Sequence, residues 1–265
     1  MSTALSDLEL VCERCDTLAP PRAPRCPRCG LRFSEDETSA VEPSLGTRLA
    51  RLDAFAHSDA ELVLLRGAAE PGSAFPIPRG GATLGRTQGT IRIPGDETLA
   101  PLTASFAYRD DLLHVRDEGG PSGVFVRITA QEVLEPGGSF ALGDHLLRHG
   151  GVVFPPGEAG PSHGAPFPGP GPFLRLETVH FGGSVGRVRL LPFPIRIGRR
   201  QGDVVLSGDR FVSARHCALY WDGEKVLLED SGSTNGTFLR IPPGAARPLR
   251  RGDTLRVGQN ILRVR

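Results

Sequence analysis

Asp230-Ser231-Gly232-Ser233-Thr234-Asn235-Gly236-Thr237 is a turn of small polar residues between two apolar runs, Val226-Leu227-Leu228-Glu229 and Thr237-Phe238-Leu239. Glycine takes a positive φ without strain, and Asn tolerates tight turns that other side chains resist. Two shorter clusters precede it: Gly198-Arg199, then Ser213-Ala214-Arg215-His216 about a strand and a turn later. Each is ordinary turn chemistry by itself. Together they supply a guanidinium fork, two hydroxyls (Ser213, Thr234) and a side-chain amide (Asn235) on successive loops. A phosphorylated side chain needs such a set, because it carries about −1.5 to −2 charge and three strong acceptor oxygens.

In order and spacing, the three clusters resemble the forkhead-associated (FHA) domain, a β-sandwich that binds phosphothreonine. The resemblance implies that Arg199, Ser213, Arg215, Thr234 and Asn235 contact a phosphopeptide. It gives Gly198, His216 and Gly236 supporting roles, with the histidine bracing the loops from behind. The chain departs from the family at Ala214, where an Arg or Asn often helps grip the ligand; Arg200 and Arg215 are the nearest substitutes.

The flanking sequence fits a sandwich. Phe173-Leu174-Arg175-Leu176, Pro194-Ile195-Arg196-Ile197, Cys217-Ala218-Leu219-Tyr220, Thr254-Leu255-Arg256-Val257 and Ile261-Leu262-Arg263-Val264 are short apolar or alternating runs broken by Gly, Asp and Pro. Asp222-Gly223 is a hairpin signal, and Cys217 reads as a small core residue.

The pattern occurs twice. Leu84-Gly85-Arg86 aligns with Ile197-Gly198-Arg199 at an offset of 113 residues, as do Gly95-Asp96 with Gly208-Asp209, Asp117 with Asp230, and Phe125 with Phe238. After a two-residue slip, Leu142-Gly143 falls on Val257-Gly258. The first copy has Ala100, Thr103, Pro121 and Ser122 where the second has Ser213, His216, Thr234 and Asn235. Arg86 alone survives, so the first copy reads as a degenerate domain that keeps the fold without the phosphate site.

Near the N-terminus, Cys12-Glu13-Arg14-Cys15 and Cys26-Pro27-Arg28-Cys29 are two C-x-x-C pairs with ten residues between them. Four thiolates at that spacing make a closed tetrahedral Zn2+ site, a short zinc ribbon with no open position for catalysis. The alternative, a pair of disulfides, belongs to exported miniproteins. Arg14, Arg22, Arg25, Arg28 and Arg32 make the ribbon basic, but Phe33 is its only ring. A structural or protein-contact role is therefore favoured over nucleic-acid binding.

These readings divide the chain into a zinc ribbon (10–34), a linker with one short helix (35–60), a degenerate sandwich (61–154), a Pro/Gly-rich linker (155–171) and an intact sandwich (172–265). The expected class is all-β, two tandem sandwiches preceded by the ribbon. Leu45, Leu49, Leu52, Phe55 and Ala56 fall at near-helical spacing, with an apolar stripe able to dock on the next domain. Thr38, behind Glu35-Asp36-Glu37, has the look of a kinase target whose phosphorylated form could enter the Arg199 pocket, although a solvated acidic linker is the simpler reading. The second linker, Pro155-Pro156-Gly157 through Gly171-Pro172, is expected to let the sandwiches move independently.

With 31 basic against 30 acidic residues, the chain of 265 residues has a net charge of +1, so any anion site must be local. No long apolar run or leader pattern is present, which suggests a cytoplasmic protein with no membrane partner. No phosphate-binding Walker loop, H-E-x-x-H or nucleophile elbow occurs, so no enzyme is expected. The expected function is a phosphothreonine-dependent adaptor in Ser/Thr kinase signalling. The competing class is a nucleic-acid-associated protein, its ribbon on DNA or RNA and its sandwiches recruiting partners.

Overall fold

The computed structural model describes residues 55, 59–109, 111–155 and 171–265, together with the backbone of 10–11 and 18–19. The described residues form strands and turns without a helix, in agreement with the all-β expectation. Strands β1 (Leu10–Val11) and β2 (Leu18–Ala19) make a small antiparallel ladder. Cys12, Cys15, Cys26 and Cys29, Thr38 and most of the expected helix lie outside the described residues. From that helix only Phe55 is described; it is fully buried, in edge contact with Tyr108.

The first repeat supplies β3 (Ala60–Arg66), β4 (Ala74–Ile77), β5 (Ala82–Gly85), β6 (Ile91–Arg92), β7 (Ala104–Arg109), β8 (Leu112–Asp117), β9 (Val124–Arg127), β10 (Glu132–Leu134), β11 (Ser139–Leu142) and β12 (His145–Val153). The second supplies β13 (Phe173–Val179), β14 (Val185–Pro192), β15 (Ile195–Gly198), β16 (Val204–Val205), β17 (Cys217–Trp221), β18 (Val226–Asp230), β19 (Phe238–Arg240), β20 (Ala246–Leu249), β21 (Thr254–Val257) and β22 (Asn260–Val264). Alternation positions them: in β15, Ile195 and Ile197 are buried while Arg196 between them faces solvent. Asp222-Gly223 turns β17 into β18 as expected, with the Asp222 carboxylate accepting from the N–H groups of Glu224 and Lys225.

The repeats do not fold separately. Each sandwich takes its last three strands from the other copy. One five-stranded sheet runs β20-β8-β7-β5-β6 and the other β10-β18-β17-β15-β16. Their opposing layers are the two halves of a single ten-stranded sheet, β14-β13-β12-β11-β19-β9-β21-β22-β3-β4. The result is an inner sandwich from one continuous stretch, about residues 128–239, inserted into an outer sandwich made of the segments before and after it. The cores divide at the same place. One combines residues 55–126 with Ile241, Leu249, Leu255, Val257, Leu262 and Val264; the other runs from Ile128 to Leu239.

The independence expected of the Pro/Gly linker therefore does not hold for these strands, because the main chain crosses between sandwiches twice and β9 pairs with β19 at the crossing. Phe125 and Phe238, equivalent in the repeat, form a small buried cluster there with Ala141. The reason the sequence could not reveal the exchange is symmetry: every exchanged contact joins positions that would also meet at home. Buried Asp96 accepts from Gln259 N (2.8 Å) and Asn260 Nδ2 (2.7 Å) in the β21–β22 turn. Its counterpart Asp209 accepts from Asp144 N (2.7 Å) in the β11–β12 turn. Glu132 and Arg247, also equivalent, pair with each other across the two sandwiches. At the second crossover, Pro242-Pro243 favours an extended path that carries the chain onward.

Three strands of the second repeat went unread in the sequence. β16 has two residues, β14 is an outer-edge strand interrupted by Gly186, Arg187 and Arg189, and β20 contains Pro248, which edge strands tolerate.

Candidate functional site

At the end of β15, Gly198 permits two loops to meet. A Cβ there would lie 2.2 Å from the Ala214 carbonyl oxygen and 2.6 Å from that of Gln201, a separation only glycine allows. This closeness lets Arg199 N donate to Ser213 O (2.8 Å), so the arginine and the serine are fixed side by side.

Ser213 and Thr234 come together through a single bond: Thr234 N donates to Ser213 Oγ at 3.1 Å. With its oxygen accepting there, the Ser213 hydroxyl keeps its hydrogen for an outward acceptor. Asn235 Nδ2 donates to Phe211 O (2.8 Å), which leaves its second N–H and its Oδ1 for a peptide backbone. The turn beneath is held by Asp230, which accepts from Ser233 N (2.7 Å), Ser233 Oγ (2.6 Å) and Thr237 Oγ1 (2.6 Å). The left-handed positions fall on Gly232 (φ 78°) and Gly236 (φ 88°), so Asn235 is not asked to take one.

His216 is fully buried and spans both loops. Its Nδ1 accepts from Ser213 N (3.0 Å), which places the ring hydrogen on Nε2, facing Gly236 O at 3.2 Å. Burial lowers its pKa, outweighing the Gly236 bond and the charges of Asp230 and Asp209, which act to raise it. A lowered folded-state pKa means that the unfolded chain binds the proton first. Stability should thus fall as pH drops below about 6.5, the ordinary histidine value, until the lowered value is passed. His216→Ala should remove this dependence from thermal unfolding curves taken across that window. It should also cost about 1–3 kcal/mol by orphaning the Ser213 N–H and the Gly236 carbonyl.

Arg199 is half-buried, and its Nε is enclosed without a hydrogen-bond partner among the described residues. Enclosed charge of this kind is costly unless an anion meets it. Thr234 and Asn235 are exposed beside it. Arg215 is exposed on the same loop as Ser213, without a hydrogen bond or ion pair among the described residues. Sequence reading missed Arg127, on β9 of the outer sandwich. It packs on Gly236, where an added Cβ would lie 2.5 Å from its Nε, and its Nη2 donates to Ser233 O at 3.4 Å. Only the exchange brings it there, although its repeat mate Arg240 stands in the same relation to Gly123 and Gly120.

The first repeat retains the scaffold. Arg86 N donates to Ala100 O (2.9 Å) and Thr103 N to Leu84 O (2.8 Å), as their counterparts do. Thr103 Oγ1 turns back to Ala100 O at 3.3 Å and spans nothing. Arg86 Nε is enclosed and unpartnered like that of Arg199, but no hydroxyl at Ala100 or Pro121 accompanies it.

Hydroxyls, amide and unpaired guanidinium converge at the second repeat alone, and there the family relationship lies. Residues 195–258 match the FHA domain. This FHA domain spans the crossover, taking β15 to β19 from the inner sandwich and β20 and β21 from the outer. The chain is similar to the FHA domain-containing protein FhaA of Mycobacterium tuberculosis, 41% identical over 69 residues, which are 26% of this chain and 13% of that protein. It is similar to FhaB of the same organism, 34% identical over 95 residues, covering 34% of this chain and 60% of FhaB. FhaB of Mycolicibacterium smegmatis is 34% identical over 82 residues, 30% of this chain and 52% of the relative. The chain thus spans less than two thirds of each.

Proposed function

We propose that this protein is a phosphothreonine-dependent adaptor that binds a phosphorylated partner through the second repeat and serves a Ser/Thr kinase pathway, without catalytic activity of its own. The observation that carries the reading is the half-buried Arg199, its Nε enclosed and unpartnered among the described residues, beside the Ser213 hydroxyl and the exposed Thr234. The first repeat acts as scaffold, since its matching loop offers neither Thr nor Asn. Calorimetric titration of the whole protein with a threonine peptide, phosphorylated and unphosphorylated, tests the reading. Binding of the phosphorylated form only is expected.

The N-terminal ribbon belongs to the same proposal. The ladder of Leu10 with Ala19 and Val11 with Leu18 brackets the first C-x-x-C pair in sequence, an arrangement that suits a metal-holding turn. Cys12, Cys15, Cys26 and Cys29 would hold one Zn2+ through four thiolates, a donor set that stabilises a small fold without supplying chemistry. Metal analysis of the purified protein is expected to give about one zinc per chain, and replacing Cys12 and Cys15 by serine should remove it.

A further inference from the structure

Between the reading loop and the outer sandwich lies a cleft of about 260 Å³. Phe211, Thr234 and Asn235 form its inner wall. The facing wall carries Arg66, Arg127, Arg256 and Arg263, and no carboxylate is among the lining residues. The cleft therefore continues directly from the two residues that flank the phosphate site.

Three of these arginines, Arg66, Arg256 and Arg263, have no carboxylate partner within the cleft. Arg66 is exposed, with its guanidinium 4.6 Å above the Phe211 ring, so it sits on the strand that ends beside the loop. Arg263 is half-buried with its Nε enclosed and unpartnered among the described residues. Arg256 donates to Gly143 O (2.8 Å) and Gly258 O (3.4 Å), neutral carbonyls that orient the group without cancelling its charge. Burial works against the Arg256 cation, and so does Arg66; Asp144 and Asp209 support it from outside the cleft.

The repeat provides a control. In the register of the internal alignment, the place of Arg66 is taken by Val179 and that of Arg256 by Ala141 in the other half. Arg263 corresponds to Arg148, which is neutralised by Glu177 at 2.6 Å. Of the two matching places among the described residues, the one beside the loop that keeps Thr and Asn carries the arginines without a carboxylate partner.

We propose that this cleft receives an acidic flank of the phosphorylated ligand, carboxylate or second phosphate groups near the phosphothreonine, held by Arg66, Arg256 and Arg263 from the outer sandwich. The inference rests on the second repeat being the phosphothreonine reader. Its ligands are accordingly acidic phosphopeptides, and both sandwiches contribute to one binding surface.

The test uses the whole protein and three phosphothreonine peptides: one with neutral flanks, one with glutamates scanned through the flanking positions, and one with a second phosphothreonine there. Wild-type protein should bind one or both acidic forms about tenfold more tightly than the neutral one, as expected for charge-assisted bonds. The Arg66→Gln, Arg263→Gln double variant, which keeps Arg256, should lose most of that preference while binding the neutral peptide with wild-type affinity, which also certifies its fold. Glutamate and phosphate arms tell which acid the cleft prefers. Equal affinities in the wild type, or a preference undiminished in the double variant, overturn the inference while leaving the reader intact. If no phosphothreonine peptide binds the wild type, the reader assignment fails and the inference falls with it.

Discussion

Arg199→Ala should abolish measurable phosphothreonine-peptide binding, whereas Arg86→Ala should leave the affinity within about twofold. A charge-assisted hydrogen bond contributes about 1.5–3 kcal/mol, and a guanidinium can make two to one phosphate. Loss of both lowers affinity by two orders of magnitude or more, on a scale where about 1.4 kcal/mol is tenfold. Arg199→Lys should fall between, since lysine keeps the charge but loses the fork. Arg86 is the matched control. It stands on the same backbone frame with the same enclosed Nε, without the counterparts of Ser213, His216, Thr234 and Asn235 around it. Peptide titration by calorimetry or fluorescence anisotropy reads the outcome. If the two alanine variants weaken binding equally, the division into reader and scaffold is wrong.

The second large effect concerns the strand exchange. A protease site introduced within residues 156–170 and cut should leave two fragments that co-elute and separate only under denaturant. The C-terminal fragment supplies Ile241, Leu249, Leu255, Val257, Leu262 and Val264 to the outer core, all 3% exposed or less. At about 1.5–3 kcal/mol per buried side chain, these six alone contribute about 10 kcal/mol or more to holding the pieces together. In return the N-terminal fragment supplies Leu134, Phe140, Leu142 and Leu147 to the inner core. Two fragments that elute separately under native conditions would mean that each repeat keeps its own last three strands.

Much of the site was legible because its geometry is local. Gly198 beside Arg199, and Ser213 with His216, act through backbone turns and short spans, which residue order dictates directly. Asn235 was read correctly as a loop residue, but its bond to Phe211 O could not be read, because nothing in the order of residues places position 211 beneath it. Arg127 was invisible for a deeper reason. The internal repeat makes β9 of one copy and β19 of the other near-interchangeable, so the alternating pattern specifies strands and faces but not which copy supplies the partner. The same degeneracy hid the arginine cleft, whose two walls lie far apart in sequence. Edge strands β14 and β20 escaped because pairing on one side only lets them keep Gly, Arg and Pro.

The exchange also orders events as the chain is synthesised. All strands of the inner sandwich have been made once residue 240 is in place, whereas the outer one needs Val264, paired with Leu62 in β3, the first strand of the outer sandwich. During translation β10–β12 emerge before β13–β19, the strands with which they build the inner sandwich. The inner sandwich, which carries Arg199, Ser213 and Thr234, can therefore be completed while the outer one, begun first, still waits for its last three strands.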